Sequence, residues 1–123
     1  MSSYQLGTVE AKFAHIIWAN APVSSAVLVK LCEETFQWKK STTYTVLRRL
    51  CEKGLFANRD GVVTPLMTEA EFYANQSREY VAESFDGSLP AFLAAFTNGK
   101  KLKPGEIEEI QQMIDSFRGS KEG

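Results

Sequence analysis

Apolar residues recur along the first half of the chain at helical spacing. Val9, Phe13, Ile16 and Ile17 stand at i, i+4, i+7 and i+8, one face of a helix predicted from about Thr8 to Ala19. Thr8 is the expected N-cap and Asn20-Ala21-Pro22 the stop. Val27, Leu28, Leu31 and Cys32 mark the inner face of a second helix, from Ser24 or Ser25 to about Thr35. Val46, Leu47, Leu50 and Cys51 mark that of a third, from about Lys40 to Lys53, with Gly54 ending it. Two short apolar runs, Leu55-Phe56-Ala57 and Val62-Val63-Thr64, then flank Asp60-Gly61, a hairpin signal. Three short helices followed by a hairpin read as a winged helix-turn-helix over residues 1–66.

Beyond Pro65 the pattern is helical again. Thr68 with Glu71 three residues on makes a capping box that opens a long helix. Its predicted buried stripe is Phe72, Tyr73, Tyr80, Val81, Ser84 and Phe85. Asp86-Gly87-Ser88 breaks it, and a short helix carrying Leu89, Phe92, Leu93 and Phe96 follows. After the loop Asn98-Gly99-Lys100-Lys101, a last helix starts at Pro104, at the first helical position, where proline is favoured. Ile107, Ile110, Ile114 and Phe117 form a heptad-like seam along it. The predicted fold is mainly α with a small β-hairpin wing, and residues 67–123 form a three-helix dimerisation region. Its apolar faces can pack as one more layer on the first domain or on a second copy. The homodimer is the favoured expectation, through Phe72, Tyr80, Phe85, Phe92, Phe96, Ile107, Ile110, Ile114 and Phe117.

Composition removes several function classes. With 123 residues, 44% hydrophobic and 24% charged, the chain is one domain or two very small ones. No apolar run approaches the roughly 20 residues that span a bilayer, and MSSYQLG has no signal-peptide pattern, so a cytoplasmic protein without a membrane partner is expected. Cys32 and Cys51 lie 19 apart outside any C-x-x-C pattern, and His15 is the one histidine; a structural zinc site needs about four such ligands. Neither metal nor cofactor is expected. The sequence holds no nucleotide loop or histidine-based triad, which argues against an enzyme. The cysteines read as small buried hydrophobes, Trp18 and Trp38 as packing residues, and His15 as a surface residue. Glu106, Glu108 and Glu109 read as favourable charge in a first helical turn.

Charge restores a class that the total hides. The balance is 14 Lys+Arg against 15 Asp+Glu, a net −1. Residues 1–64 carry eight basic and five acidic side chains, and residues 65–123 six and ten. Within 37–59, Lys39, Lys40, Arg48, Arg49, Lys53 and Arg59 face Glu52 alone. Local cations are what a phosphate backbone requires, because binding releases counterions where protein meets phosphate. On the third helix, Ser41, Thr45, Arg48 and Glu52 fall opposite the apolar face, Thr42 and Arg49 on one flank and Tyr44 on the other, while Thr43 points inward. Hydroxyls, a phenol and guanidinium groups can contact base edges or phosphates; the same set also suits an ordinary polar face.

These residues carry a resemblance. Trp38-x-x-Ser41-Thr42-x-x-Thr45-x-Leu47-x-Arg49-Leu50-x-x-Lys53-Gly54 resembles the recognition-helix signature of the penicillinase-repressor family of winged-helix transcriptional repressors. Ala11-x-Phe13 through Ile17-Trp18, Thr64-Pro65 through Glu71, Phe85-Asp86-Gly87-Ser88-Leu89 and Glu106 through Ile110 look like further landmarks in collinear order. The resemblance implies a homodimeric repressor on a palindromic double-stranded DNA operator, with the third helix in the major groove. It places Thr42 and Thr45 at base edges and Tyr44 at a position that varies among relatives. Lys39, Lys40 and Ser41 belong to the same candidate surface, with Arg48, Arg49 and Lys53 at phosphates or helix ends and Arg59 on the wing. The wing, Arg59-Asp60-Gly61-Val62-Val63, is shorter than in many relatives, and nothing after Cys51 is cysteine, unlike copper-responsive members. Lactam-responsive members are inactivated by cleavage before a phenylalanine in the fifth helix; the matching bond here is Ala95–Phe96, which would make a sensor protease a partner. The rival expectation is a winged-helix protein-interaction adaptor that does not touch DNA.

Overall fold

The computed structural model describes residues 4–119, so the outer ends of the two predicted domains, 1–3 and 120–123, lie outside the described residues. The elements are α1 (Thr8–Asn20), β1 (Val23–Ser24), α2 (Ser25–Phe36), α3 (Lys40–Glu52), β2 (Phe56–Arg59), β3 (Val62–Pro65), α4 (Glu69–Ser84), α5 (Leu89–Phe96) and α6 (Pro104–Gly119). This is the predicted, mainly helical winged-helix architecture with a helical region after it. The chain separates into two compact units, Met1–Tyr80 and Val81–Gly123.

In the first unit, α1, α2 and α3 enclose a core built from the predicted faces: Phe13 and Ile17 from α1, Leu28 and Cys32 from α2, and Val46, Leu47 and Leu50 from α3. Leu55, Phe56 and Val63 close it from the hairpin. Two expected inner residues are exposed instead, Val9 at 49% and Val27 at 49%. Each lies in the first turn of its helix, at the edge of the apolar stripe. The N-cap of α1 is Gly7, not Thr8, and the Glu10 carboxylate accepts a 3.2 Å bond from the Gly7 N–H. Helix α2 is capped by Ser24, whose hydroxyl accepts from the Val27 N–H at 3.1 Å.

The sheet is antiparallel in the order β1-β3-β2. β2 and β3 pair with Arg59 opposite Val62 and Asn58 opposite Val63. The Asp60-Gly61 step has φ of 53° and 76°, as a tight hairpin turn demands. Strand β1 has no counterpart in the hydrophobic pattern: it is two residues long and exists only through Val23↔Val63 and Ser24↔Val62.

The capping box that opens α4 is formed as predicted. The Thr68 hydroxyl accepts from the Glu71 N–H at 3.0 Å, and the Glu71 carboxylate accepts from the Thr68 N–H at 2.8 Å. Phe72, expected on the dimer face, is instead fully buried in the core of the first unit. Its ring lies 5.5 Å from that of Trp18 and 5.8 Å from that of Tyr4, and Trp18 also packs on Phe56 at 5.1 Å. The Trp18 indole N–H donates to the Met67 carbonyl at 3.0 Å, just ahead of α4. His15 on α1 bonds the Glu69 carboxylate at 2.9 Å on the surface. Most of α4 therefore belongs to the winged helix, and the compact units divide after Tyr80 rather than after Leu66.

In the second unit, α4 ends where the Phe85 and Gly87 N–H groups both donate to the Val81 carbonyl, with Asp86 and Gly87 at positive φ. Ser88 caps α5, accepting from the Ala91 N–H at 3.0 Å. The Phe92 ring packs edge-on against Phe85 at 5.6 Å, and the Lys100 ammonium lies 5.5 Å from the Phe96 ring centroid. No described residue of α5 or α6 is fully buried. Replacing Phe72 by alanine should cost about 3–5 kcal/mol of stability, read as a lowered urea midpoint of the full chain. A loss under about 1 kcal/mol, well below that range, would show that docking of α4 does not depend on this ring.

Candidate nucleic-acid interface

Helix α3 owes its exposed face to its buried one. With Thr43, Val46, Leu47 and Leu50 turned inward, the helical period leaves Ser41, Thr42, Thr45, Arg48, Arg49 and Glu52 on the surface. The Thr45 hydroxyl donates to the Ser41 carbonyl one turn back, at 2.9 Å. That bond uses the hydroxyl proton, so toward a partner Thr45 offers its methyl and an accepting oxygen. The Thr43 hydroxyl is buried without a hydrogen bond of good geometry and lies beside the Cys32 thiol. Burial pushes the Cys32 thiol up from its usual range; burial, with Glu52 adding, does the same to Cys51. Neither cysteine is poised as a thiolate. Among the described residues no three His, Cys, Asp or Glu side chains gather as metal ligands, and no helix is long and apolar enough to cross a membrane.

The expected cationic residues divide into two groups. Arg49 donates to the Glu10 carboxylate at 2.8 Å, tying α3 to α1. Lys53 donates to the Gln5 carbonyl at 2.8 Å, fastening the segment that precedes α1. Gln76 of α4 holds the same segment by donating to the Tyr4 carbonyl at 2.8 Å. Arg49 and Lys53 thus serve the fold, whatever else they touch. The Lys39, Lys40, Arg48 and Arg59 side chains form no hydrogen bond or ion pair among the described residues. Lys39 and Lys40 stand at the start of α3, and Arg48 lies two turns further along. Arg48, Tyr44, Leu47, Cys51 and Asn58 line an open cleft of about 210 Å³ between α3 and β2. Asn58 of β2 thus faces the same cleft as Tyr44 and Arg48 of α3, while Arg59, the next residue along the strand, belongs with Val62 to the other, exposed face of the hairpin.

Tyr44 stands apart from the other expected readers. It is half-buried, and its hydroxyl donates to the Ser25 hydroxyl oxygen at 3.0 Å. Sequence reasoning missed Ser25, for which only a place at the start of a helix was in view. It also missed Glu10 as the partner of Arg49. No local spacing signals that pair, because its members stand 39 residues apart.

Glu10 is held below the usual carboxylate range, first by the bond from Arg49 and further by the Gly7 N–H and the nearby Lys53, against the opposing effect of burial. A carboxylate depressed in the folded state stabilises the fold above its unfolded value, about 4.3, and that contribution is lost as pH falls through the lower folded value. Glu10→Gln should therefore cost about 0.5–1 kcal/mol near pH 7 and close to nothing near pH 2. Urea melts at the two pH values check this; an equal loss at both would show that the ion pair is not the cause.

The sequence profile of the penicillinase repressor family matches residues 6–116. The penicillinase repressor of Bacillus licheniformis is 25% identical over 121 residues, covering 95% of this chain and 94% of that protein.

Proposed function

The chain belongs to the penicillinase repressor family, a family of transcriptional repressors, and from that membership we propose that it represses by binding a palindromic DNA operator as a homodimer. The observation that supports DNA as the target most directly is the exposed face of α3, which carries Ser41, Thr42, Thr45 and Arg48, with Arg48 and the exposed wing residue Arg59 in no ion pair among the described residues. In this reading α3 enters the major groove. Thr42 and Thr45 meet base edges, and Lys39, Lys40, Arg48 and Arg59 meet phosphates. Arg49 and Lys53 strengthen the field of the surface while their donors hold Glu10 and the Gln5 carbonyl.

The dimer reading rests on uncovered apolar surface. Leu89, Phe96, Ile107, Met113, Ile114 and Phe117 are exposed, Phe117 at 74%, and Tyr80 is exposed as well. Ile110, Phe85 and Phe92 are half-buried. Ile107, Ile110, Ile114 and Phe117 stand at the spacing of a helix-pairing seam. A second copy presents the same stripe and satisfies both at once. Release by cleavage at Ala95–Phe96 is the companion proposal. The bond lies in the last turn of α5, Phe96 is exposed, and cutting there separates α6 from the DNA-binding unit. A sensor protease is the partner this requires.

Selection from a random duplex pool, followed by binding at several salt concentrations, tests the reading. A recovered palindrome bound more tightly than scrambled DNA, with log Kd rising steeply with log salt, supports it. Equal affinity for both duplexes, or no salt dependence, overturns it. On the recovered operator, Thr45→Ser should relax preference at one thymine about fourfold, the contribution of a buried methyl, whereas Thr45→Val should keep it. In sedimentation, Ile114→Glu should shift the protein to monomer and weaken operator binding about 100-fold through lost bivalency. A dimer that survives this substitution places the seam elsewhere.

A further inference from the structure

The tip of the wing is not a free loop. Asp60 and Gly61, both at positive φ, turn the chain between β2 and β3. The Gly61 carbonyl accepts a 2.8 Å hydrogen bond from the backbone N–H of Ser25, the first residue of α2. The Ser25 hydroxyl oxygen in turn accepts, at 3.0 Å, the bond that the Tyr44 hydroxyl donates from α3. The start of α2, the wing tip and the reading helix meet at this one serine. Ser25 and Tyr44 are both half-buried, so the contact is partly shielded from water. A Tyr44 hydroxyl engaged in this way is turned along the protein surface, while Ser41, Thr42, Thr45 and Arg48 stay on the open face of the helix.

We propose that Tyr44 and Ser25 are positioning residues for DNA binding, forming a strut that sets the wing against the reading helix. The inference rests on the DNA-binding reading above. A hairpin of two four-residue strands is only marginally stable by itself, and β1 adds just two paired residues. The Ser25 contacts supply the remaining restraint at the tip. With the strut in place, DNA meets the wing and α3 in one preformed arrangement. Without it, part of the binding energy goes into ordering the wing, and that loss is the same whichever bases lie beneath. Tyr44 then controls affinity for all sequences alike, the opposite of what a base-reading tyrosine would do.

Tyr44→Phe and Ser25→Ala remove the hydroxyl contact while keeping the ring and the Ser25 N–H, and both are small enough to leave the fold intact, which a thermal melt verifies. In the free protein, amide hydrogen exchange at Ser25 should quicken about 3–10-fold in either variant, the contribution of one net hydrogen bond. On the selected operator and on each of its single-base variants, Kd should rise by one common factor of about 3–10. The double variant should be no worse than either single one, because both remove the same contact. Unchanged exchange at Ser25, additive losses, or a change confined to one or two base positions would each overturn the strut. If the wild-type protein binds no duplex at all, the DNA reading fails and the positioning role with it; the exchange measurement then still reports whether the bond restrains the wing tip.

Discussion

The inner face of α3 is the constraint on which the functional surface depends. Val46, Leu47 and Leu50 are buried in the core shared with α1, α2 and the hairpin, and a helix pinned along one stripe has no freedom to choose what it shows on the other. Each buried side chain contributes roughly 1.5–3 kcal/mol, several times what a surface ion pair such as Arg49–Glu10 gives. The apolar stripe therefore sets the rotation of α3, and the polar contacts at its edges adjust it. Glu10 takes hold of Arg49 from α1, the Gln5 carbonyl takes Lys53, and Ser25 takes Tyr44. What no other element holds among the described residues, Lys40, Ser41, Thr42, Thr45 and Arg48, is the part of this face left to meet a partner.

Much of this was legible in the sequence because it depends on local periodicity. The cores of α1, α2 and α3 follow from apolar residues three and four apart, the hairpin from Asp60-Gly61, and the start of α4 from Thr68 and Glu71. What escaped depends on distant partners. Strand β1 has no pattern because two residues cannot show one; Val63 makes it a strand by pairing. Phe72 lies on the same helical stripe as Tyr73 and Tyr80, so periodicity assigns all three to one face, yet Phe72 is buried by Trp18 and Tyr4 while Tyr73 and Tyr80 are exposed. The helical wheel also located Tyr44 correctly on a flank without revealing that Ser25, 19 residues earlier, receives its hydroxyl. The candidate site was thus legible as a set of residue types, and the division between side chains left exposed and side chains held by another element was not.

The same distinction applies to charge. Six cations against one acid within residues 37–59 mark a basic surface, but counting them overstates what is available for phosphate. Two of the six are tied to groups of the protein itself, so DNA would have to compete with Glu10 for Arg49 and with a backbone carbonyl for Lys53. A charge held in place still contributes its field at Debye range, about 8 Å in physiological salt, while the unpaired Lys39, Lys40, Arg48 and Arg59 can also close the short contacts. On the proposed reading, few short contacts would mean few released counterions and modest affinity for a single copy.

That modest affinity and the exposed helical seam bear on each other. A single winged helix with a short wing and four cations unpaired along α3 and the wing among the described residues would have little to hold a particular site against the many other sequences of a genome. Two such units joined at a fixed spacing multiply their affinities through effective concentration, and the gain vanishes once the joint is broken. The apolar residues of α5 and α6 are unfavourable to leave in water, and that is what favours a joint. Those of α6 all lie beyond the bond at Ala95–Phe96, so a single cut in the chain would separate them from the unit that carries α3. If the proposed dimer is the operator-binding form, weakening the helical seam would be enough to switch it off without a ligand pocket in the first unit, because neither half would hold the operator well alone.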